Sequence, residues 1–399
     1  MTKAAAAAMR FRLMLARACA WSLLVAGWIG IGSFALYLAP SLSAGFALVA
    51  MWLFALGAAA TVATRGGLRY PILAIALCAG AALTAIGLRW TVSAGGLTAL
   101  MLAIVGWAAL TALASGVVRS LRVVQAAAPK PPVLPASVGA LAAALALGDI
   151  GDLPLLSMRL TAFVSATAVV LLVLRWGVAE RAPRPGCRAG LFDCSLPAWP
   201  EGAWRDGLQW PILLAGFAML PMMASLPLMA AWCSADSVPP QSMVLLHLAA
   251  MFGPALLFKQ LIARWSLRVL SFVCTALLVT GALMVAWAPS PYDLLGLAVT
   301  HGAAWGIAWS GQLWGPERRG RQGTSPLHAA FGYALFTLIF GSIVEQAGTR
   351  GVAVVQASLG LVAASVWLAG YAVAGLSRFA NARSGTPAKA SGGGHDAAG

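Results

Sequence analysis

Charge, and negative charge above all, is what this sequence has least of. Only 11 of its 399 residues are Asp or Glu and 9% carry a charge of either sign, where an ordinary soluble domain carries about 25%. No water-facing shell can be made from so few charges, which excludes a soluble globular protein. The sparse carboxylates form no dense cluster, and the chain has neither a nucleotide-binding loop nor a nucleophile with an adjacent base, so enzyme chemistry has no seat in it. Cysteine is scarce as well. Cys19, Cys78, Cys187, Cys194, Cys233 and Cys274 are scattered through a chain far too large and apolar to be a disulfide scaffold.

What fills the sequence is apolar. Hydrophobic residues make up 61% of it, in long runs that recur from end to end, and a run of roughly 20 residues is what a helix needs to cross the hydrocarbon core. The lipid bilayer is therefore the main partner of this chain. The pattern predicts spans near 18–38, 44–63, 70–88, 95–118, 137–156, 160–178, 208–231, 241–262, 267–288, 292–313, 327–347 and 351–375: an all-α membrane protein of twelve transmembrane helices. In the fifth span, Gly148, Asp149, Gly151, Asp152 and Pro154 crowd the second half. Lys3, Arg10, Arg12 and Arg17 ahead of the first run imitate a secretory signal, but the run is longer than a signal's apolar core and more spans follow, which argues for an uncleaved first helix.

The net charge of +15 would suggest a nucleic-acid surface in a soluble protein. Here the basic residues sit in the short segments between apolar runs, so no nucleic-acid partner is expected. Cytoplasmic loops of membrane proteins carry the excess of Lys and Arg, and the two signs of loop alternate along this chain. One side collects the N-terminal cluster, Arg65 and Arg69, Arg119 with Arg122 and Lys130, then Arg181, Arg184, Arg188 and Arg205. It continues with Lys259, Arg264 and Arg268, Arg318, Arg319 and Arg321, and ends with Arg378, Arg383 and Lys389. The opposite loops hold little beyond Arg89, Arg159 and Arg350. Both termini are therefore expected in the cytoplasm.

The longest internal polar segment divides the chain into an N-terminal six-helix half (1–178), a cytoplasmic linker (179–207), a C-terminal six-helix half (208–378) and a Gly/Ser/Ala-rich tail (379–399) expected to be disordered. Cys187 and Cys194 fall in that linker, where thiols stay reduced. A weak internal echo joins the halves: Arg65-Gly66-Gly67-Leu68-Arg69 and Arg264-Trp265-Ser266-Leu267-Arg268 both read R-x-x-L-R after the second span of their half. Two ordinary basic clusters would give the same echo. With its six-plus-six spans and these turns, the whole chain resembles the major facilitator superfamily, whose halves are parallel repeats. Thr64 and Ala263 stand where that superfamily's turn usually has an Asp, which leaves a salt bridge there open.

Polar or polarizable residues inside the spans mark where a membrane protein could bind something. Asp149, Asp152, Asp293 and Glu345 all lie near span ends. Two sulfur- and imidazole-bearing pairs lie deeper. Met219 and Met223 form M-x-x-x-M in the seventh span, with Pro221 and Pro227 as possible bends, and His247 and Met251 form H-x-x-x-M in the eighth. Spacing of i, i+4 puts each pair on one helix face. Counting rise along antiparallel helices puts Met223 and Met219 roughly 12 and 18 Å below the outer surface, and His247 and Met251 roughly 9 and 15 Å below it. Met229, Cys233 and Met243 are then expected at the outer mouth. Thioethers select Cu(I) over hard cations and neutral imidazole also binds copper. Methionine equally fills core gaps, and an intramembrane His equally bonds a neighbouring helix.

These two motifs on these two helices resemble the signature of the CcoA-type copper importers, bacterial inner-membrane proteins of the major facilitator superfamily. The resemblance implies metal ligation by Met219, Met223, His247 and Met251, and import of copper, most simply Cu(I), by alternating access. It further implies supply of copper to assembly of the cbb3-type cytochrome oxidase, a cytoplasmic copper carrier as a further partner, and no cofactor, copper being the cargo. The alternatives are a carrier of a small organic solute such as riboflavin, which related proteins import, and a membrane scaffold that uses the fold without transport. Among lesser features, His301 lies mid-span in the tenth helix beside the G-x-x-x-G pair Gly302 and Gly306, favouring a helix-packing face, with His301 as a secondary ligand or proton relay. His328 stands at a helix start, and the sixteen Trp are expected to be mostly interfacial anchors.

Overall fold

In the computed structural model the chain is described over residues 3–65, 70–94, 96–125, 133–148, 152–178, 207–233, 239–286, 291–314 and 326–383. Twelve long helices occupy these stretches: α1 Lys3–Leu38, α2 Leu42–Arg65, α3 Tyr70–Ala94, α4 Leu97–Gln125, α5 Val133–Leu147, α6 Leu153–Arg175, α7 Trp210–Cys233, α8 Pro240–Leu257, α9 Leu267–Ala286, α10 Pro291–Trp314, α11 Pro326–Ala347 and α12 Thr349–Arg383. A single turn at Lys259–Ile262 joins α8 to α9, and a 3₁₀ turn at Gly207–Gln209 precedes α7. No strand occurs among the described residues. Lipid offers no hydrogen bonds to the backbone, so helices, which satisfy their own, are the form these apolar runs must take. Eight of the helices are long and apolar enough to span a membrane, and α5, α7 and α8 contain shorter apolar stretches. The chain is built as a multi-pass membrane protein.

Three boundaries differ from expectation, each for a local reason. The fifth helix ends at Leu147, not 156, because Gly148 takes φ +58° and turns the chain. Asp152 is then the N-cap of α6, its carboxylate accepting from Leu155 N at 3.0 Å, with a proline in the first turn. The first helix begins at Lys3, not 18, because the alanine-rich start favours helix and its inner face packs Leu13 and Ala16 into the core. The eighth helix ends at Leu257, shortly after Pro254 removes a backbone donor. Residues 179–206 of the expected linker, with Cys187 and Cys194, lie outside the described residues, as do Asp149 and residues 384–399 of the expected tail. Residues 379–383 are helical.

The helix contacts repeat from one half to the other. α3 meets α4 and α6 as α9 meets α10 and α12, and α1 and α2 both meet α4 as α7 and α8 both meet α10. The halves join where α1 touches α7, α2 touches α11 and α5 touches α8. On one face Arg12 Nη1 donates to Trp176 O at 3.2 Å, tying the start of α1 to the end of α6. On the opposite face Ser43 N, at the start of α2, donates to Glu345 Oε2 at the end of α11, at 2.7 Å.

Small residues set the helix spacing. A Cβ on Gly27 of α1 would stand 2.8 Å from the Trp52 ring and 3.1 Å from Trp107 Nε1, whose N–H donates to Leu23 O at 2.8 Å. A Cβ on Gly87 of α3 would stand 2.8 Å from Ala99 O and 2.9 Å from Ala103 Cα, backbone atoms of α4 that cannot move aside. Gly87→Val is therefore expected to destabilise the N-terminal half by about 1–3 kcal/mol, read as a lower unfolding midpoint in detergent. Gly116→Val, where an added Cβ meets nothing within 4 Å, is the control and should change the midpoint little.

Candidate functional site

Helix α7 runs unbroken from Trp210 to Cys233, so Pro221 and Pro227 do not interrupt it. Its methionines divide by face. Met219 (0% exposed) and Met223 (1%) belong to the large apolar cluster of the N-terminal half, in company with Leu24, Leu53 and Trp305. Met222 belongs to the second cluster, inside the C-terminal half. Met251 (0% exposed) on α8 shares the first cluster with Met219 and Met223. Three of the four expected ligand side chains thus belong to the same large apolar cluster, which takes in residues of both halves. Met243 does not stand at an outer mouth as expected. In the first turn of α8, it is buried in the second cluster. The side chains of Met229, Cys233 and His328 lie outside the described residues.

His247 is fully buried, and its Nδ1 lies 2.6 Å from Ala298 O on α10. A carbonyl can only accept, so Nδ1 carries the proton and Nε2 carries the lone pair. That Nε2 is buried with no hydrogen-bond partner. A backbone carbonyl fixing the tautomer and ring angle of an imidazole while the other nitrogen stays open is the arrangement metal-ligating histidines use.

The glycine pair of α10 holds this geometry. A Cβ on Gly302 would stand 2.8 Å from His247 O and 3.2 Å from His247 Nδ1, and one on Gly306 would collide with the Met251 carbonyl. The G-x-x-x-G face is a packing face, as the sequence suggested, and it packs on the backbone of both H-x-x-x-M residues.

Beside the site, Trp21 of α1, Phe252 of α8 and Trp305 and Trp309 of α10 form one aromatic block across the two halves. Trp21 stands edge-on to Phe252 (5.5 Å), Trp309 (5.7 Å) and Trp305 (6.2 Å), and Trp305 and Trp309 stack at 5.2 Å. All four are buried. Trp21, Trp305 and Trp309, with Trp28, Trp52 and Trp107, are core residues rather than interfacial anchors; they are six of the sixteen tryptophans. Their signal was present in the i, i+4 spacing of His301, Trp305 and Trp309. On the other face, Phe46 of α2 and Phe340 of α11 meet at 5.3 Å. The halves are thus in contact at both faces. A small cleft between α1, α2 and α11 is lined by Leu24, Trp28, Leu53, Leu56, Gly57, Ala330 and Tyr333.

The acids stand where the sequence placed them, at helix ends: Asp152 caps α6, Glu345 meets the start of α2, and Asp293 lies in the first turn of α10. Among the described residues no three His, Cys, Asp or Glu gather as a metal site, so any metal chemistry rests on thioethers with imidazole.

Two six-helix halves with repeated contacts, joined by α1 with α7, α2 with α11 and α5 with α8, define the fold of the major-facilitator transporters. The chain is similar to the solved structure of a variant of the nucleoside transporter NupG, at 13% identity over 91% of this chain and 99% of that one, with a TM-score of 0.61. It is also similar to a bacterial homologue of the iron transporter ferroportin in an outward-facing state, at 15% identity over 91% of this chain and 99% of that one, with a TM-score of 0.54. At these identities the likeness is one of fold. No protein-family model and no curated protein matches the chain.

Because Gly306 packs on a backbone carbonyl, Gly306→Val is expected to push α8 from α10 and lower stability by about 1–3 kcal/mol. Gly253→Val on α8, where nothing lies within 4 Å of the added Cβ, should be near neutral. Thermal unfolding of both variants in nanodiscs checks the difference.

Proposed function

We propose that this protein is a membrane transporter of copper, as Cu(I), held by Met219, Met223, Met251 and His247 where the two halves meet and released by alternating access. The observation that carries this reading is the His247 ring, whose Nδ1 is committed to Ala298 O while the buried Nε2 is unpartnered. Its helix partner Met251 shares one buried region with Met219 and Met223. Soft thioethers and a neutral imidazole suit Cu(I) and disfavour hard cations, and the set carries no fixed charge that would trap the ion. Gating would separate the Trp21, Phe252, Trp305 and Trp309 block on one face and the Phe46 and Phe340 contact on the other.

The basic loops favour cytoplasmic termini; import across a bacterial inner membrane is what the resemblance to CcoA-type importers adds. Inward movement of one positive charge gains about 2.3 kcal/mol per 100 mV of inside-negative potential, so a second coupled ion is not required. The resemblance to CcoA-type importers extends the proposal to copper supply for cbb3-type cytochrome oxidase assembly, with a cytoplasmic copper carrier as recipient. The second reading is a small organic solute such as riboflavin, for which Trp28 and Tyr333, lining the small cleft between α1, α2 and α11, would be the candidate aromatic contacts.

Uptake of radioactive copper into proteoliposomes separates the two. With copper as cargo, His247→Ala lowers initial uptake at least about tenfold, the loss of one ligand worth 1.4 kcal/mol or more, while Tyr333→Phe leaves it near wild type. Copper uptake that is absent in the wild type, or unchanged in His247→Ala, would sink the copper assignment.

A further inference from the structure

The hydrogen bond between Ser43 and Glu345 crosses from one half to the other, and the proposed transport site makes no use of it. Glu345 lies in the last turn of α11, and Ser43 in the first turn of α2. The first N–H groups of a helix have no partner within it. In α2, Gly45 N donates to Ser41 O at 3.1 Å and Ala44 N to Ser41 Oγ at 3.2 Å, so Ser41 caps its own helix. Ser43 N donates instead to Glu345 Oε2 at 2.7 Å. A carboxylate in this place is favoured twice, by a charge-assisted bond and by the helix dipole.

The bond stands on a close contact between the two helices. One turn before Glu345, a Cβ on Gly341 would collide with the Phe46 side chain, and the Phe46 ring stands edge-on to Phe340 at 5.3 Å. Both rings are buried, whereas Glu345 is exposed. Water therefore reaches the bond but not the rings beneath it. The opposite face is held differently. Its Arg12–Trp176 bond stays within the N-terminal half, and in the aromatic block between the halves the indole N–H groups of Trp21 and Trp305 make no hydrogen bond.

We infer that Glu345 is a latch: its carboxylate, capping α2 from α11, holds the two halves together on the face opposite the Arg12–Trp176 bond, and that face opens by breaking this cap. Glu345 is a positioning residue, remote from any cargo, that sets how much of the time the face is closed. An exposed bond to a carboxylate is weak, since water replaces either partner, which suits a contact broken and remade in every cycle. The α2 donor left behind meets water on opening, so no buried polar group is stranded. The inference rests on the alternating-access part of the proposed function and not on the identity of the cargo.

The test is amide hydrogen exchange, read by mass spectrometry, on the full-length protein in nanodiscs without copper. Glu345→Ala should exchange at least about threefold faster than the wild type, both in the first turn of α2 and across residues 338–346 of α11, with no rise around Trp305 and Trp309. Ser43→Asp separates a latch from a local cap. A carboxylate in the first turn suits α2 itself but sets a like charge against Glu345, so exchange in α11 should rise as it does in Glu345→Ala. Combining Ser43→Asp with Glu345→Gln removes the repulsion and should bring α11 back near the wild-type rate. A rise confined to the first turn of α2 in Glu345→Ala, or a Ser43→Asp variant that exchanges like the wild type in α11, overturns the latch. If Glu345→Ala does not fold, the Ser43→Asp variants decide alone. With no copper in the sample, either result leaves the cargo assignment to the uptake assay.

Discussion

Helices in lipid gain nothing by hiding apolar surface from one another, because the tails around them are as apolar as leucine; they associate by close packing and by interhelical hydrogen bonds. Almost every feature of this protein follows from that constraint. Gly27, Gly87, Gly302 and Gly306 stand where a single added carbon would strike a neighbouring helix. Where backbones come this close, the few polar side chains are placed with little freedom. His247 reaches Ala298 O because Gly302 lets α8 lie directly on α10. The chemistry of the candidate site is thus a by-product of glycine packing.

The same packing explains how so few charges suffice. The acids sit at helix ends, where unsatisfied backbone N–H groups make a carboxylate useful: Asp152 on α6 and Glu345 on the first turn of α2. Between the halves the contacts include the Ser43–Glu345 hydrogen bond and two aromatic groupings. The rings of Trp21, Phe252, Trp305 and Trp309 can separate without leaving a buried charge behind, which suits surfaces that must part and rejoin.

Apart from helix existence, much of the site was legible in the sequence. The i, i+4 pairs on α7 and α8 drew attention to Met219, Met223 and Met251, all of which are buried, and the Gly302 and Gly306 face was legible as packing. The aromatic block was not legible, because tryptophan in a membrane sequence reads first as an anchor, and only neighbouring helices reveal which rings are inside.

The sequence by itself determined that this is a twelve-helix membrane protein in two halves, since hydrophobic run length and loop charge are properties of single segments. It also determined which residues could bind a soft ion, since that is the chemistry of sulfur and imidazole. Only the tertiary structure decided which nitrogen of His247 is open, and that Met243 is buried in one apolar cluster and Met251 in another. Those depend on how close two backbones come and at what rotation, which no periodicity within one helix records.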